Sequence, residues 1–218
     1  MPDAIPSAPE GKPEWVKRKM RTIGPEEVSI SRRQYCGAIE VIDDQVGAIL
    51  KAIESRGMLD NTIVVFSSDH GDMLGDHGLY GKSVPYEASV RVPLTMAGPG
   101  IEGGRVSDAL VELIDVNPTL CELAGLQPQA GIDGRSICPL LRGEARAHRT
   151  DTVSAIRNFR CIRTDRHKLV LNDNDLTELY DLHENPDELS NIAEAEPEVV
   201  RELTGRLVDR YTEGRWQR

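Results

Sequence analysis

The stretch TIVVFSSDHGDMLGDHGLYGK, residues 62–82, changes character halfway, and its reading decides the fold. Its first part, Thr62 to Ser67, is a short apolar run rich in β-branched residues and without alternation. Such a run suits a strand covered on both faces, as in a parallel sheet. The second part breaks into acids, two histidines and four glycines, and ends on Lys82. If the apolar run is a strand, Asp69 and His70 stand just past its carboxyl end, where open α/β sheets place ligands and catalytic groups.

Working outward, a helical pattern precedes the strand. Tyr35, Ile39, Ile42, Val46, Ile49, Leu50 and Ile53 recur at three- and four-residue steps, charged residues fill the gaps, and Gly57 supplies a stop. Helix followed by buried strand predicts α/β layering. After the loop, VPLTMA (92–97) reads as another buried strand, with turn material behind it in GPGIEGG. DALVELID (108–115) reads as a further strand, and Asn117 and Pro118 as N-cap and first position of a helix closed by Gly125.

Beyond Asp151 the texture shifts to short extended segments, TVSAI, RCIRTD, HKLVLN and TELYDL, separated by polar turns, which predicts an antiparallel sheet. A last amphipathic helix opens at Pro197 and carries Val199, Val200, Leu203, Leu207, Val208 and Tyr211 on one face. At the other end, Pro2, Pro6, Pro9, Pro13 and Pro25 lie among small and charged residues, a composition suited to an extended arm. The expected organisation is an extended connector over 1–34, an α/β core over 35–150 and a C-terminal α+β subdomain over 151–218.

Composition narrows the function classes. With 39% apolar and 28% charged residues the chain can bury a core. A net charge of −10 argues against nucleic acid, whose phosphates call for clustered Lys and Arg. Four dispersed cysteines form no CxxC pair, so free and mostly buried thiols are expected. No apolar stretch is long enough to span a bilayer, and the N-terminus has no signal-peptide pattern, so the chain as written reads as soluble and untargeted.

A carboxylate beside an imidazole can hold one divalent cation through an oxygen and a nitrogen, with Gly71 allowing the backbone to turn. Two ligands leave an ion under-coordinated, so Asp69 and His70 read as half of a site. Lys82 can return an ammonium to the ion and to a tetrahedral oxyanion such as sulfate or phosphate. Taken alone, Asp-His-Gly also suits a turn in which Asp69 caps an amide and His70 is exposed. A zinc site from His70 and His77 has no helix to present the pair, and the acid spacing fails the EF-hand loop. Asp72, Asp76 and His77 are expected to structure the loop; Tyr80 and Tyr86 to pack; Arg91 to pair with an acid.

In order along the chain, IDDQVGAILKAIESRGMLDNTIVVFSSDHGDMLGDHGLYGK, YEASVRVPLTMAGPG, DVNPTLCELAGL, GRSICPLLRGE and ELYDLHENPDELSNIA resemble the C-terminal half of the sulfatase family, in the alkaline phosphatase superfamily. The likeness runs from Tyr35 to the end. It implies part of an alkaline-phosphatase-like α/β/α sandwich followed by a small antiparallel sheet with a terminal helix. It also implies Asp69 and His70 as metal ligands, Lys82 as a catalytic contact to the sulfate ester, and a divalent ion, Ca²⁺ first and Mn²⁺ second. The substrate it implies is a small-molecule or glycan sulfate ester. The family's nucleophile, a formylglycine made from Cys or Ser in a CxPSR or SxPSR motif, has no counterpart in these residues. Cys36, in YCGAIE, lacks the downstream Pro-Ser-Arg.

The parent activity expected is therefore metal-dependent sulfate ester hydrolysis, with no catalysis expected from these residues by themselves. A phosphonate monoester or phosphodiester hydrolase of the same superfamily stands as the alternative, as does a non-catalytic interaction protein. A sheet deprived of neighbouring strands predicts association through an exposed edge. The compartment stays open, since a signal peptide could belong to an N-terminal half.

Overall fold

The structure is a computed structural model describing residues 3–213. After an extended arm come α1 (Glu14–Lys17) and the long helix α2 (Pro25–Ser55). Helix α2 begins well before Tyr35: Pro25 sits at its first position, where the missing N–H of proline is no loss and its fixed φ suits a helix. Gly57, at φ 66, stops it as expected.

Strand β1 (Val64–Ser67) follows, then the glycine-rich loop, the short helix α3 (Glu87–Val90) and β2 (Leu94–Ala97). The two strands pair antiparallel, Val64 opposite Ala97 and Ser67 opposite Leu94. This corrects the parallel-sheet reading of β1. Among the described residues β2 is its ladder partner, so one long edge is open and Phe66 is 45% exposed.

DALVELID does not form a strand either. Leu110 makes one isolated bridge to Arg149, and Leu113–Asp115 winds into a 3₁₀ turn. The reason lies in its acids: the Glu112 N–H donates to Asp115 Oδ2 at 2.9 Å, closing a capping box that bends the chain. Helix α4 (Val116–Leu123) continues from that turn, so Asp115 precedes the helix and Asn117 lies inside it. The short helix α5 (Cys138–Leu141) completes this region.

The C-terminal part forms as read. Strands β3 (Thr152–Ile156), β4 (Phe159–Arg163), β5 (His167–Asn172) and β6 (Glu178–Asp181) make an antiparallel meander in sequence order. Helix α6 (Pro197–Glu213) packs on one face. Side chains alternate across a strand, so Ile162, Leu169 and Leu179 face α6, where Leu203 and Leu207 meet them, while Cys161, Val170 and Tyr180 face away. Val208 turns to solvent, half exposed, one step round the helix from the buried Leu207.

The opposite face of this sheet is covered by the N-terminal arm. Trp15 stacks on Phe159, its indole N–H donates to Asn172 Oδ1 at 2.9 Å, and Val16 is fully buried with Met73, Leu79, Val84, Tyr86 and Tyr180. Gly11 lies against Asn191, whose side-chain amide donates to the Gly11 carbonyl at 3.1 Å. The arm is therefore a layer of the fold, not a free connector. Its alternation of prolines and single anchor residues carries no period that a sequence reading could detect. Of the cysteines, Cys138 and Cys161 are buried, Cys121 half-buried and Cys36 exposed, so two of the four depart from the buried expectation.

Candidate active-site half

The glycine-rich loop leaves β1 at Ser67, whose hydroxyl donates to the Pro93 carbonyl at 2.8 Å and ties the strand end to β2. Ser68 Oγ donates to the His70 carbonyl at 2.7 Å. The Gly71 N–H donates to the Ser89 carbonyl at 2.8 Å, and this bond docks the turn onto α3. Asp69 thus projects from the strand tip, 85% exposed, with Oδ1 accepting the His70 N–H at 3.0 Å. The cap predicted for an isolated turn is present, and it leaves Oδ2 free to face outward, 3.5 Å from His70 Nε2.

His70 is fixed by its other nitrogen. Nδ1 lies 2.8 Å from the Gly71 carbonyl. A carbonyl only accepts, so Nδ1 carries the proton and Nε2 presents its lone pair. That is the tautomer a metal-binding histidine needs, held by a backbone carbonyl in the usual way. Lys82 Nζ is in direct hydrogen-bond contact with the same Nε2. The structure therefore brings all three sequence-expected residues, Asp69, His70 and Lys82, to one point past the end of β1. A carboxylate oxygen and an outward-facing imidazole nitrogen fit one side of a divalent ion's coordination shell. Among the described residues no group of three or more His, Cys, Asp or Glu could hold a metal unaided.

The loop is folded by its own acids. Asp72 Oδ1 accepts the Leu74 and Gly81 N–H groups, both at 3.0 Å, and so sets the backbone directly before Lys82. Asp76 Oδ1 accepts the Ile5 N–H at 2.8 Å and pairs with Arg32 Nη2 at 2.7 Å. These are the loop-structuring roles expected of both residues. Leu74, His77 and Ser83 hold positive φ, a strained conformation for non-glycine residues, sustained by these bonds and by the arm behind. The His77 N–H donates to the Ile5 carbonyl at 2.9 Å, and Arg21 N–H to the Gly78 carbonyl at 2.8 Å.

His77 itself is 1% exposed and stacked on Tyr86 at 4.8 Å between centroids, which removes it from any shared metal site with His70. Burial, with Lys12 and Lys168 nearby, lowers its pKa to about 3, so the ring is neutral. Tyr86 packs as expected, and Tyr80 takes a 3.3 Å hydrogen bond from Ser31. Arg91 is exposed and acts electrostatically on Glu87.

Behind the loop lies a buried polar network with no local sequence signal. Tyr86 OH donates to Glu178 Oε2 at 2.9 Å, as does Tyr180 OH at 2.5 Å, while Lys12 Nζ donates to Tyr180 OH at 2.8 Å and to the Glu188 carbonyl at 2.6 Å. Lys168 Nζ pairs with Glu87 at 2.6 Å and Glu188 at 2.7 Å. Burial pushes Lys12 down to about 8 and Glu178 up. For Lys168 burial acts downward, but Glu188 and Glu87 outweigh it and raise the pKa. The network ties arm, loop and C-terminal sheet together, and its members are too far apart in sequence for any motif.

Two family models match, "Sulfatase" over residues 7–126 and "N-sulphoglucosamine sulphohydrolase, C-terminal" over residues 75–213. The chain belongs to the sulfatase family. Among sulfatases it is 38% identical over 179 residues to a choline-sulfatase of Rhizobium meliloti, a match covering 78% of this chain and 34% of that protein. It is 32% identical over 199 residues to arylsulfatase K of Xenopus laevis, covering 84% and 37%. The phosphonate monoester hydrolase of Agrobacterium radiobacter superposes with a TM-score of 0.81 at 30% identity, covering 87% of this chain and 43% of that one. The fold is thus an α/β, alkaline-phosphatase-like fragment, and the chain spans about a third to two fifths of the length of these sulfatases. No helix among the described residues is long and apolar enough to cross a membrane.

Proposed function

We propose that this chain supplies the cation- and anion-binding half of a sulfatase-family ester hydrolase. The observation that carries the reading is the meeting of Lys82 Nζ with the lone-pair nitrogen of His70, beside the outward carboxylate of Asp69. Asp69 and His70 would hold a divalent ion, and Lys82 would bind the ester's non-bridging oxygens as charge builds on them. When bound, the ion supplies Lewis-acid stabilisation of that charge. The family implies Ca²⁺, whereas the imidazole among the donors suits Mn²⁺ as well. Nucleophilic chemistry needs a formylglycine from outside these residues.

The substrate class that fits is a sulfate ester of a small molecule or glycan, as the names of the sulfatase relatives suggest. A phosphonate monoester reading is favoured by one observation, the 0.81 TM-score to an enzyme of that type. The test is a single polypeptide joining the part of the Rhizobium meliloti choline-sulfatase that precedes its matched region to this chain, with the nucleophile matured. It is assayed on 4-nitrophenyl sulfate and on a phenylphosphonate monoester. Hydrolysis of the sulfate that falls at least 100-fold in Lys82→Ala supports the reading. Preference for the phosphonate supports the alternative, and activity indifferent to Asp69→Ala, His70→Ala and Lys82→Ala overturns both.

A further inference from the structure

Five of the chain's 26 basic residues, Lys12, Lys17, Arg18, Lys19 and Arg21, fall within ten positions that hold a single acid, Glu14, although acids outnumber bases 36 to 26 over the whole sequence. Lys12 is buried, and Lys17 is met by Glu14 at 2.8 Å. Arg18, Lys19 and Arg21 are exposed, and among the described residues no carboxylate pairs with any of them. Other exposed arginines are answered: Arg105 by Glu102, Arg142 by Glu122 and Arg160 by Asp173. The backbone under the three cations is held in place. Trp15 stacks on Phe159, and Met20 packs with Met73, Leu79, Val84 and Tyr86. Lys19 Nζ lies 4.9 Å over the Trp15 ring and donates to the Ser83 carbonyl at 3.2 Å, while the Arg21 N–H donates to the Gly78 carbonyl at 2.8 Å. Residues 19–21 therefore run beside the turn 78–83, which carries Lys82.

Cations gathered without counter-charge repel one another, and an anion seated among them removes that cost. We propose that Arg18, Lys19 and Arg21 form a subsite for a second anionic group of the substrate, a sulfate or carboxylate on the same or a neighbouring sugar of a glycan whose scissile ester lies on Lys82. The proposal rests on the hydrolase reading above and narrows its substrate class, from any sulfate ester to a multiply charged glycan. Guanidinium groups suit the role, because their planar forks bond the oxygens of carboxylates and tetrahedral oxyanions in pairs. The segment that carries them is already ordered by its packing, so binding has less ordering left to cost. A nucleic acid fits less well: the ring within this segment, Trp15, is already covered by Phe159 and Lys19, which leaves bases no platform there.

The test titrates a multiply sulfated tetrasaccharide into the full chain, with Ca²⁺ present and at low ionic strength, and follows the backbone amides by NMR; inorganic sulfate is the comparison ligand. The amides of residues 18–21 and 81–83 should shift together, with a Kd at least tenfold tighter than that for sulfate. Arg18→Ala/Arg21→Ala leaves the Lys19 bond to Ser83 in place and should keep the circular dichroism unchanged, yet weaken tetrasaccharide binding at least tenfold. Arg18→Lys/Arg21→Lys should retain most of the affinity. Lys51→Ala/Arg146→Ala removes the same charge from exposed positions outside the arm and should change the Kd less than threefold. Equal losses in the two alanine pairs would reduce the effect to general attraction and overturn the proposal. So would shifts that leave residues 18–21 unmoved, or an oligonucleotide of equal charge bound as tightly. The measurement involves no turnover, so the two readings fail separately. A fusion that hydrolyses 4-nitrophenyl sulfate beside a chain with no preference for the tetrasaccharide keeps the hydrolase reading and sinks this inference; joint shifts at 18–21 and 81–83 beside an inactive fusion keep the anion subsite and sink the hydrolase reading.

Discussion

At Gly71 an alanine Cβ would stand 2.0 Å from the carbonyl oxygen of Ala88, a backbone atom that cannot swing aside. The glycine is needed there for close approach of loop to α3. Gly71→Ala is therefore expected to destabilise the chain by about 1–3 kcal/mol through strain and overpacking and to disturb the adjoining His70; a urea titration and the His70 ring shifts check both. His77 gives a prediction in pH. Its folded pKa, about 3, lies below the ordinary 6.5, so the unfolded chain binds the extra proton between those values. Stability is full above pH 6.5 and falls as pH drops through 6.5 toward about 3. Asp115, held low despite burial by Arg149 and backbone amides, and Glu87, held low by Lys168, lose their contributions only in stronger acid. The fall in urea midpoint between pH 7 and 5 should shrink in His77→Phe, which keeps the stack on Tyr86; an unchanged slope would contradict the assignment.

Among elements, the joint between the α/β part and the C-terminal subdomain is ionic. Asp115 is fully buried and accepts from Arg149 Nε at 2.8 Å, from the Arg135 N–H at 2.8 Å and from the Glu112 N–H at 2.9 Å. Arg210 of α6 holds both oxygens of Glu112, at 2.8 and 2.9 Å, and Asp151 at 2.8 Å. Removing one partner leaves a buried charge without compensation, so Asp115→Ala should cost about 3–5 kcal/mol, read from equilibrium unfolding. Arg201→Ala, whose partner Glu198 shares its exposure, should cost under about 1 kcal/mol. The network also explains which elements the sequence disclosed. Strands β3 to β6 and helix α6 follow local patterns of period two and 3.6, and were legible. DALVELID has a strand's composition, but the reciprocal caps of Glu112 and Asp115 override it, and that is settled by tertiary partners.

For the whole molecule, the proximity of the three candidate residues was legible because Asp69, His70 and Lys82 sit in one loop, where local spacing governs. What stands behind the loop was not: Lys12 reaches Tyr180 and Glu188 from the far end of the sequence, and a proline-rich arm gives no hint that it is a packed layer. The antiparallel pairing of β1 escaped for a related reason, since an apolar run reads as buried on both faces whether or not both neighbours are present. The exposed apolar side chains of α2 at Tyr35, Ile39, Ile42 and Ile49 and the open β1 edge predict that the chain alone self-associates as concentration rises, which sedimentation velocity would detect; a monomer at high concentration would count against a sticky edge.

The central claim, that Asp69, His70 and Lys82 address one bound ion, can be tested on the chain as it is by titrating Mn²⁺ and following paramagnetic broadening in its NMR spectrum. The account predicts that the His70 ring and the Lys82 side chain broaden first, ahead of His148, His167 and His183, and that Asp69→Ala abolishes the preference. Broadening spread evenly over the acidic surface, or centred away from the tip of β1, would contradict it.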